Sequence, residues 1–258
     1  MVVQAPISTP GAHSLTLVNS KTGNKVAGIL SVKDPASSSL CVICHGLCSS
    51  KETGIIRTLG EDLDFNTHRF DFAGNGDSEG DFRYTGYDQE GLRSRGWNVA
   101  CILGHSKGAH AVLRYSSTYG DVPKVFSLAA RFDFSQQPAS RFTPEQLQAM
   151  EKDGFFLWNV RGRDYKVTKE DFKERDSVDM VPLLERVKTT HPSVPPFLLL
   201  AHGEADETIP VKDVDSIAAI LGPSFCRVVR IPGADHFYRR PEDAQAVVQA
   251  ASRFLKEG

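Results

Sequence analysis

Apolar positions along this chain follow two patterns that take turns: short uncharged runs, and stretches in which they recur every three or four residues. Ser14 to Val18 and Lys25 to Val32 read as strands joined by the turn-forming Lys21-Thr-Gly-Asn24. Leu40 to Cys44 is an uncharged strand that ends in His45-Gly46. Ile55, Ile56, Leu59 and Leu63 mark one face of a helix, and His68 to Phe72 is a strand running into Ala73-Gly-Asn-Gly-Asp-Ser-Glu-Gly80. The run that starts at Val99 carries no charge, as expected of a strand buried on both faces, and breaks off at Gly104-His-Ser-Lys-Gly108. Ala109, Val112 and Leu113 then take up helical spacing, and Lys124 to Ala130 reads as the next strand. After a gap the rhythm resumes. Pro196 to Ala201 is a strand ending in His202-Gly203, Val211, Val214, Ile217 and Leu221 mark a helix, and Phe225 to Ile231 is the last strand. Ala244, Val247, Val248, Ala251, Phe254 and Leu255 give the closing helix a regular apolar stripe. Strands alternating with helices predict an α/β protein, with a mostly parallel central sheet covered by helices on both faces.

The gap runs from Arg131 to about Met180. It has no run that reads as a strand, but Phe132, Phe134, Phe142, Phe155, Phe156, Trp158, Tyr165 and Phe172 are scattered there among charges. The expectation is a helical lid inserted at about 131–180, since long insertions in compact domains are usually functional.

With 258 residues, 40% hydrophobic and 24% charged, a single domain over 1–258 accounts for the whole chain. A net charge of −2 offers no basic face for nucleic acid. No apolar run approaches the 18 or so residues needed to span a bilayer, and the N-terminus lacks a charged stretch followed by an apolar one. The expectation is a cytoplasmic protein without membrane insertion. Five cysteines without framework spacing read as reduced thiols. Cys41 and Cys44 are three apart in one strand and so face opposite ways, which argues against a redox or metal pair; no metal site is expected.

A G-x-S-x-G at a strand-to-helix turn is a nucleophile elbow: small residues at both ends let the chain turn sharply enough to expose the serine hydroxyl above the sheet. Ser106 occupies that position. Asp206, in His202-Gly-Glu-Ala-Asp-Glu-Thr-Ile-Pro210, and His236, in Pro232-Gly-Ala-Asp-His-Phe237, also lie just past the carboxyl ends of strands, where open α/β sheets place their sites. A serine hydroxyl becomes a nucleophile when an imidazole takes its proton, and the imidazole needs a carboxylate to fix its tautomer and stabilise its charge. Glu204 and Asp235 are neighbours that compete with Asp206 for the acid; motif position favours Asp206. His45, His105 and His202 adjoin strand ends and read as loop-shaping residues, and Lys107 reads as solvated or paired.

These motifs, His45-Gly46, Asp71-Phe-Ala-Gly-Asn-Gly-Asp-Ser78, Gly104-His-Ser-Lys-Gly108, His202-Gly-Glu-Ala-Asp206 with Ile209-Pro210, and Gly233-Ala-Asp-His236, span nearly all of the chain beyond residue 12. Together they resemble the α/β-hydrolases of the serine aminopeptidase-like S33 branch, close to feruloyl or cinnamoyl esterase-like enzymes of plant type. The resemblance implies an α/β-hydrolase fold, a Ser106, Asp206, His236 triad, and an oxyanion hole from the backbone N–H groups of Leu47 and Lys107. It also marks a departure: such enzymes carry a longer crossover helix before the elbow strand, whereas Tyr87 to Arg95 is nine residues with Gly91 in its middle. That helix would span roughly 14 Å, with the glycine costing about 1 kcal/mol relative to alanine.

The function expected is hydrolysis of a small carboxylic ester by acyl transfer to Ser106, with no cofactor. An amidase or aminopeptidase-like activity is the alternative within enzymes, and a ligand receptor that keeps the pocket with little turnover is the alternative outside them. Phe132, Phe156 and Trp158 are the aromatic candidates for the substrate pocket, with Arg131, Arg141, Arg161 and Arg163 as partners for a polar substituent. Acyl and alcohol specificity and oligomeric state are not readable from the residues.

Overall fold

A computed structural model describes residues 9–19, 21–84, 97–135, 141–191 and 197–257. In chain order it begins with strands β1 (Gly11–Val18), β2 (Lys25–Val32) and β3 (Ser39–Cys44), helix α1 (Gly54–Asp62), and strand β4 (Thr67–Phe70). Strand β5 (Asn98–His105) leads into helix α2 (Lys107–Thr118), followed by β6 (Lys124–Leu128). Then come α3 (Pro144–Asp153), β7 (Phe155–Val160), β8 (Arg163–Thr168), α4 (Lys169–Asp176) and α5 (Met180–Thr190). Strand β9 (Leu198–Gly203), α6 (Lys212–Leu221), β10 (Cys226–Ile231) and α7 (Pro241–Lys256) complete the chain. Eight strands form one sheet in the order β1-β2-β4-β3-β5-β6-β9-β10, parallel throughout from β4 to β10 and antiparallel where β2 pairs with β1 and β4.

The two-residue period of the strands divides the core into two layers. Leu40, Val42 and Cys44 of β3, Ile102 of β5 and Leu198 and Leu200 of β9 pack with Val112 and Leu113 of α2, Leu184 and Val187 of α5, and Val214 and Ile217 of α6. Their neighbours Cys41, Ile43, Leu103, Leu199 and Ala201 face the other way, onto Ile55, Ile56 and Leu59 of α1 and Val247, Ala251 and Phe254 of α7. Each fully buried Leu or Ile contributes about 1.5–3 kcal/mol relative to exposure. Packing on both faces explains why β3, β5 and β9 carry no charge, and it holds the carboxyl ends of β5, β9 and β10 at one rim of the sheet.

Between β6 and α5 the structure corrects the expectation of a strandless insertion. Strands β7 and β8 form an antiparallel hairpin that sets Phe156 opposite Val167 and Trp158 opposite Tyr165. Its turn residues Arg161 and Gly162 both have positive φ, 55° and 81°, as a two-residue hairpin turn with matching twist requires. Phe156, Tyr165 and Val167 are buried while Phe155 and Leu157 on β7 and Asp164 and Lys166 on β8 are exposed, a two-residue alternation that the charges of β8 conceal. Phe156 and Val167 join Tyr84, Phe142 and Met150 in a third, smaller cluster against which Leu47, Trp158 and Phe172 pack. The helix that follows, α5, belongs to the main core: Met180, Leu183, Leu184 and Val187 are all buried in it.

The Asp71 to Ser78 loop is fixed by one buried carboxylate. Asp71 accepts hydrogen bonds from Lys51 N–H (2.7 Å), Lys51 Nζ (2.6 Å) and Asp77 N–H (2.9 Å). A Cβ on Gly76 would stand 2.1 Å from the Asp71 carboxylate, so only glycine fits there. The short crossover expected from Tyr87 to Arg95 lies outside the described residues.

Candidate active site

The elbow turns where the backbone has least room for side chains. A Cβ on Gly104 would lie 2.0 Å from the Gly108 carbonyl oxygen, and one on Gly108 would lie 2.3 Å from the Cys44 carbonyl oxygen, so strand β5 and helix α2 approach at backbone distance. Ser106 between them has φ 57° and ψ −114°, a conformation rarely adopted outside glycine, and its N–H is bonded to Leu128 O at 2.9 Å. The strain is held by β6 on one side and α2 on the other, and it leaves the hydroxyl at the N-terminal end of α2, where first-turn N–H groups and the helix dipole favour negative charge.

The three residues singled out by spacing come together. His236 Nε2 lies 3.1 Å from Ser106 Oγ, and His236 Nδ1 lies 2.7 Å from Asp206 Oδ2. The Asp206 side chain is fully buried. Its other oxygen, Oδ1, accepts the N–H groups of Thr208 and Ile209, both at 2.8 Å. Burial by itself would raise this carboxyl's pKa. Hydrogen bonds from His202 and His236, the charge of His236 and the Ile209 N–H outweigh burial and hold the group well below the usual carboxylate range. An ionised Asp206 only accepts, so the proton sits on His236 Nδ1 and leaves Nε2 to receive the Ser106 proton. Glu204 is exposed, and Asp235 turns outward to bond Phe237 N–H, Arg239 N–H and the Arg239 guanidinium.

Histidines beside the site each bond a backbone carbonyl. His105 Nε2 donates to His236 O (2.8 Å), and burial foremost, with the charge of His236, lowers its pKa to about 3. His202 Nε2 lies 2.9 Å from Ile209 O and 3.3 Å from Asp206 Oδ2. His45 accepts Phe72 N–H at Nε2 (3.0 Å), so its proton is on Nδ1, which donates to Gly46 O at 2.7 Å. In a trans peptide the N–H points opposite to the carbonyl, so pinning Gly46 O orients Leu47 N–H. This peptide passes close over Ser106: a Cβ on Gly46 would be 3.3 Å from Ser106 Cβ. Lys107 follows Ser106 at the start of α2, and its Nζ donates to Arg83 O at 2.7 Å.

A cavity of about 950 Å³ opens over Ser106 and His236. Trp158 is part of its wall, as the sequence suggested. Phe156 and Phe132 are not: Phe156 is buried in the small cluster behind the wall, and Phe132 packs against the main core with its N–H on Asp213 Oδ2. Tyr84, His110, Phe134 and Arg175 join the wall without having been singled out as site residues. His110 had a signal, standing four residues after Ser106 and hence on the same side of α2. Tyr84 and Arg175 come from distant segments that only the tertiary fold brings together. Among the described residues no group of three or more His, Cys, Asp or Glu side chains is arranged to hold a metal ion, and no helix is long and apolar enough to cross a membrane.

No protein-family model and no curated protein matches the chain. Solved structures do match it over nearly its whole length. Est1E from Butyrivibrio proteoclasticus, with ferulic acid bound, superposes with a TM-score of 0.72 at 19% identity, covering 93% of this chain and 98% of that one. The esterase domain of a Rhodothermus marinus protein gives 0.68 at 21% identity over 94% and 97% of the two chains. Mouse alpha/beta hydrolase domain-containing protein 10 gives 0.68 at 16% identity over 95% and 99%. The fold is the α/β-hydrolase fold.

Proposed function

We propose that this chain, an α/β-hydrolase by its fold, is a serine hydrolase that cleaves a small carboxylic ester through an acyl-enzyme on Ser106. His236 Nε2 takes the Ser106 proton as Oγ bonds to the ester carbonyl carbon. The negative charge that develops on the carbonyl oxygen is received by the N–H groups of Leu47 and Lys107. Collapse breaks the bond to the alcohol oxygen, which leaves with the proton carried by His236. Water then attacks the acyl group, giving its proton to His236, and the carboxylic acid departs as Ser106 Oγ recovers its hydrogen. Asp206 stays ionised throughout and holds the imidazole in the tautomer both halves require.

The observation that supports this reading most directly is the hydrogen-bonded series Ser106, His236, Asp206, at 3.1 and 2.7 Å, with Ser106 and His236 lining the cavity and Asp206 buried behind them. Stabilising interactions are concentrated where charge changes in the reaction: the acid carries four donors, and the peptide above the serine is fixed by His45. That structural neighbours include esterases, one of them with ferulic acid bound, supports a carboxylic ester with an aryl or short acyl group as substrate.

The deciding experiment is stoichiometric labelling of Ser106 by a fluorophosphonate together with turnover of p-nitrophenyl butyrate. Both are expected in the wild type, and both are lost in Ser106→Ala. Slow labelling with poor turnover would instead mark a receptor that has kept the pocket.

A further inference from the structure

The cavity over Ser106 is unbalanced in charge. The described residues of its wall include six cationic side chains, Lys107, Arg131, Arg141, Arg161, Arg175 and Arg239, against one acidic one, Asp62, which lies at the far end where Gln245 bonds it. Some of these cations are accounted for locally. Arg239 pairs with Asp235, Arg175 with Asp176, and Lys107 donates to a carbonyl. Arg131 and Arg141 are different. Arg131 donates to Thr208 O at 2.7 Å and Asp133 O at 3.5 Å, and Arg141 to the Tyr84 hydroxyl at 2.7 Å. These partners are neutral, and among the described residues neither guanidinium forms an ion pair. Both are half-buried.

Holding two such groups on one cavity wall, half out of water and within reach of each other's charge, is unfavourable unless something of opposite sign enters. Burial first, and then the like charges of Arg141 and Arg175, lower the Arg131 pKa, against the opposing carboxylate of Asp213, whose Oδ2 is occupied by Phe132 N–H. A guanidinium presents paired N–H donors that match the two oxygens of a carboxylate, and Tyr84 adds a hydroxyl beside them.

The geometry points to an anion subsite: the ester cleaved at Ser106 carries a carboxylate or a similar oxyanion, received by Arg131 and Arg141 with Tyr84. This rests on the esterase reading and narrows it to acidic esters, with the charge on the acyl or the alcohol portion. A cationic wall of low dielectric also raises the local concentration of such a substrate before it docks.

Two ester pairs separate the sources of the charge. Mono-p-nitrophenyl glutarate against p-nitrophenyl butyrate places a carboxylate on the acyl side. 4-Butyryloxybenzoate against its methyl ester places it on the leaving group. At least one acidic ester is expected to exceed its neutral partner in kcat/KM by roughly 10- to 100-fold, the size of one charge-assisted hydrogen bond, with the ratio shrinking as salt is added. Arg131→Gln and Arg141→Gln should each pull that ratio toward one, and Arg141→Lys should restore part of it. Neutral esters equal to or better than acidic ones in both pairs would overturn the subsite, as would a preference that both glutamine variants leave intact. In Ser106→Ala, calorimetric titration with 4-hydroxybenzoate and with monomethyl glutarate, each against its methyl ester, reads the subsite without turnover, at least one acid being expected to bind tenfold tighter or more and equal affinity in both pairs overturning the proposal. Labelling of the wild type by a neutral fluorophosphonate, with hydrolysis of neutral esters only, would sink the anion subsite and leave the esterase reading standing.

Discussion

His202 Nε2 lies 3.3 Å from Asp206 Oδ2, the same oxygen that His236 Nδ1 approaches at 2.7 Å, so two histidines converge on one atom of the acid. His202 is fully buried at the carboxyl end of β9 and also holds Ile209 O at 2.9 Å. In the proposed mechanism its effect passes through Asp206, which it orients and keeps ionised. His202→Leu is expected to lower kcat by about 10- to 100-fold with little change in KM, the range seen when an outer partner of a catalytic ligand is lost. His202→Gln, which can still donate, should recover most of the loss. An equal loss in both variants would assign His202 to packing alone.

The acid itself can be identified by substitution. Ser106→Ala should lower kcat by on the order of 10⁴- to 10⁶-fold, and Asp206→Asn by about 10⁴, because an amide permits the wrong imidazole tautomer. Glu204→Gln is expected to stay within twofold of wild type, since that side chain is exposed. Near-full activity in Asp206→Asn would reassign the acid.

Buried histidines make stability depend on pH in a window well above that of the carboxylates. Burial, the largest cause in each case, lowers the pKa of His45 and His68 to about 4 and of His105 and His110 to about 3. The unfolded chain, with histidines near 6.5, therefore binds more protons than the folded one between about pH 6.5 and 4, and the folded state loses stability as pH falls through that range. Asp206 has the depressed carboxylate pattern, so its contribution is complete above about pH 4 and is lost only below that. Unfolding at pH 5.5 should take up roughly three to four protons, measurable as the pH dependence of the urea midpoint. An uptake of one proton or fewer would mean these histidines are charged in the native protein.

Two glycines near the serine should respond differently to an added methyl group. Gly108→Ala drives Cβ to 2.3 Å from Cys44 O and 2.7 Å from His45 O, both backbone, so loss of at least about 3 kcal/mol or failure to fold is expected. Gly46→Ala meets Ser106 Cβ at 3.3 Å and His105 Nδ1 at 3.4 Å, contacts that yield by a few tenths of an ångström. It should fold with a Tm near wild type and lose activity at least tenfold by shifting the Leu47 N–H. Equal Tm values for the two variants would contradict the backbone contact at the elbow.

Trp158 and Phe156 separate substrate contact from packing. Trp158→Ala should change the ratio of kcat/KM for methyl ferulate to that for p-nitrophenyl butyrate by roughly two- to twelvefold, one aromatic contact. Phe156→Ala should instead cost about 3–5 kcal/mol of stability and leave that ratio alone. p-Nitrophenyl palmitate is expected to be the poorest of the three esters; a clear preference for it would contradict the short or aryl assignment.

The alternation of runs made the sheet and its helices legible because both faces of the central strands are covered, and burial on both sides removes every charge from Leu40 to Cys44 and from Val99 to Leu103. Ser106 and Asp206 were legible because each follows such a strand by a residue or a short turn, and His236 because it follows β10, an edge strand that keeps its apolar positions between Arg227 and Arg230. The hairpin of β7 and β8 was not. Only one of its faces is buried, and Asp164 and Lys166 on the other, with Arg163 next to the turn, interrupt the apolar positions that Tyr165 and Val167 keep. Nor did aromatic content locate the wall: Phe132, Phe156 and Trp158 look alike in sequence, and only the fold decides that Trp158 faces the cavity. Arg131 and Arg141 were visible as charges near the site, but that they stand close to each other with neutral partners is a tertiary fact.

The segment over Ser106 is tied down at several points. Arg163 Nη1 bonds Gly76 O at 2.8 Å, Arg83 pairs with Glu174 at 2.9 Å, and Tyr84 N–H reaches the Asp171 carboxylate at 3.1 Å. All three ties join α4 or the β7–β8 hairpin to the loop that precedes the crossover, so swinging the roof away would break them together. On the esterase reading proposed above, a site built this way meets its substrate one dissolved molecule at a time. Its rate on a sparingly soluble ester should rise smoothly to saturation and show no jump where the ester begins to form droplets, because an oil surface offers nothing that the fixed roof needs in order to work.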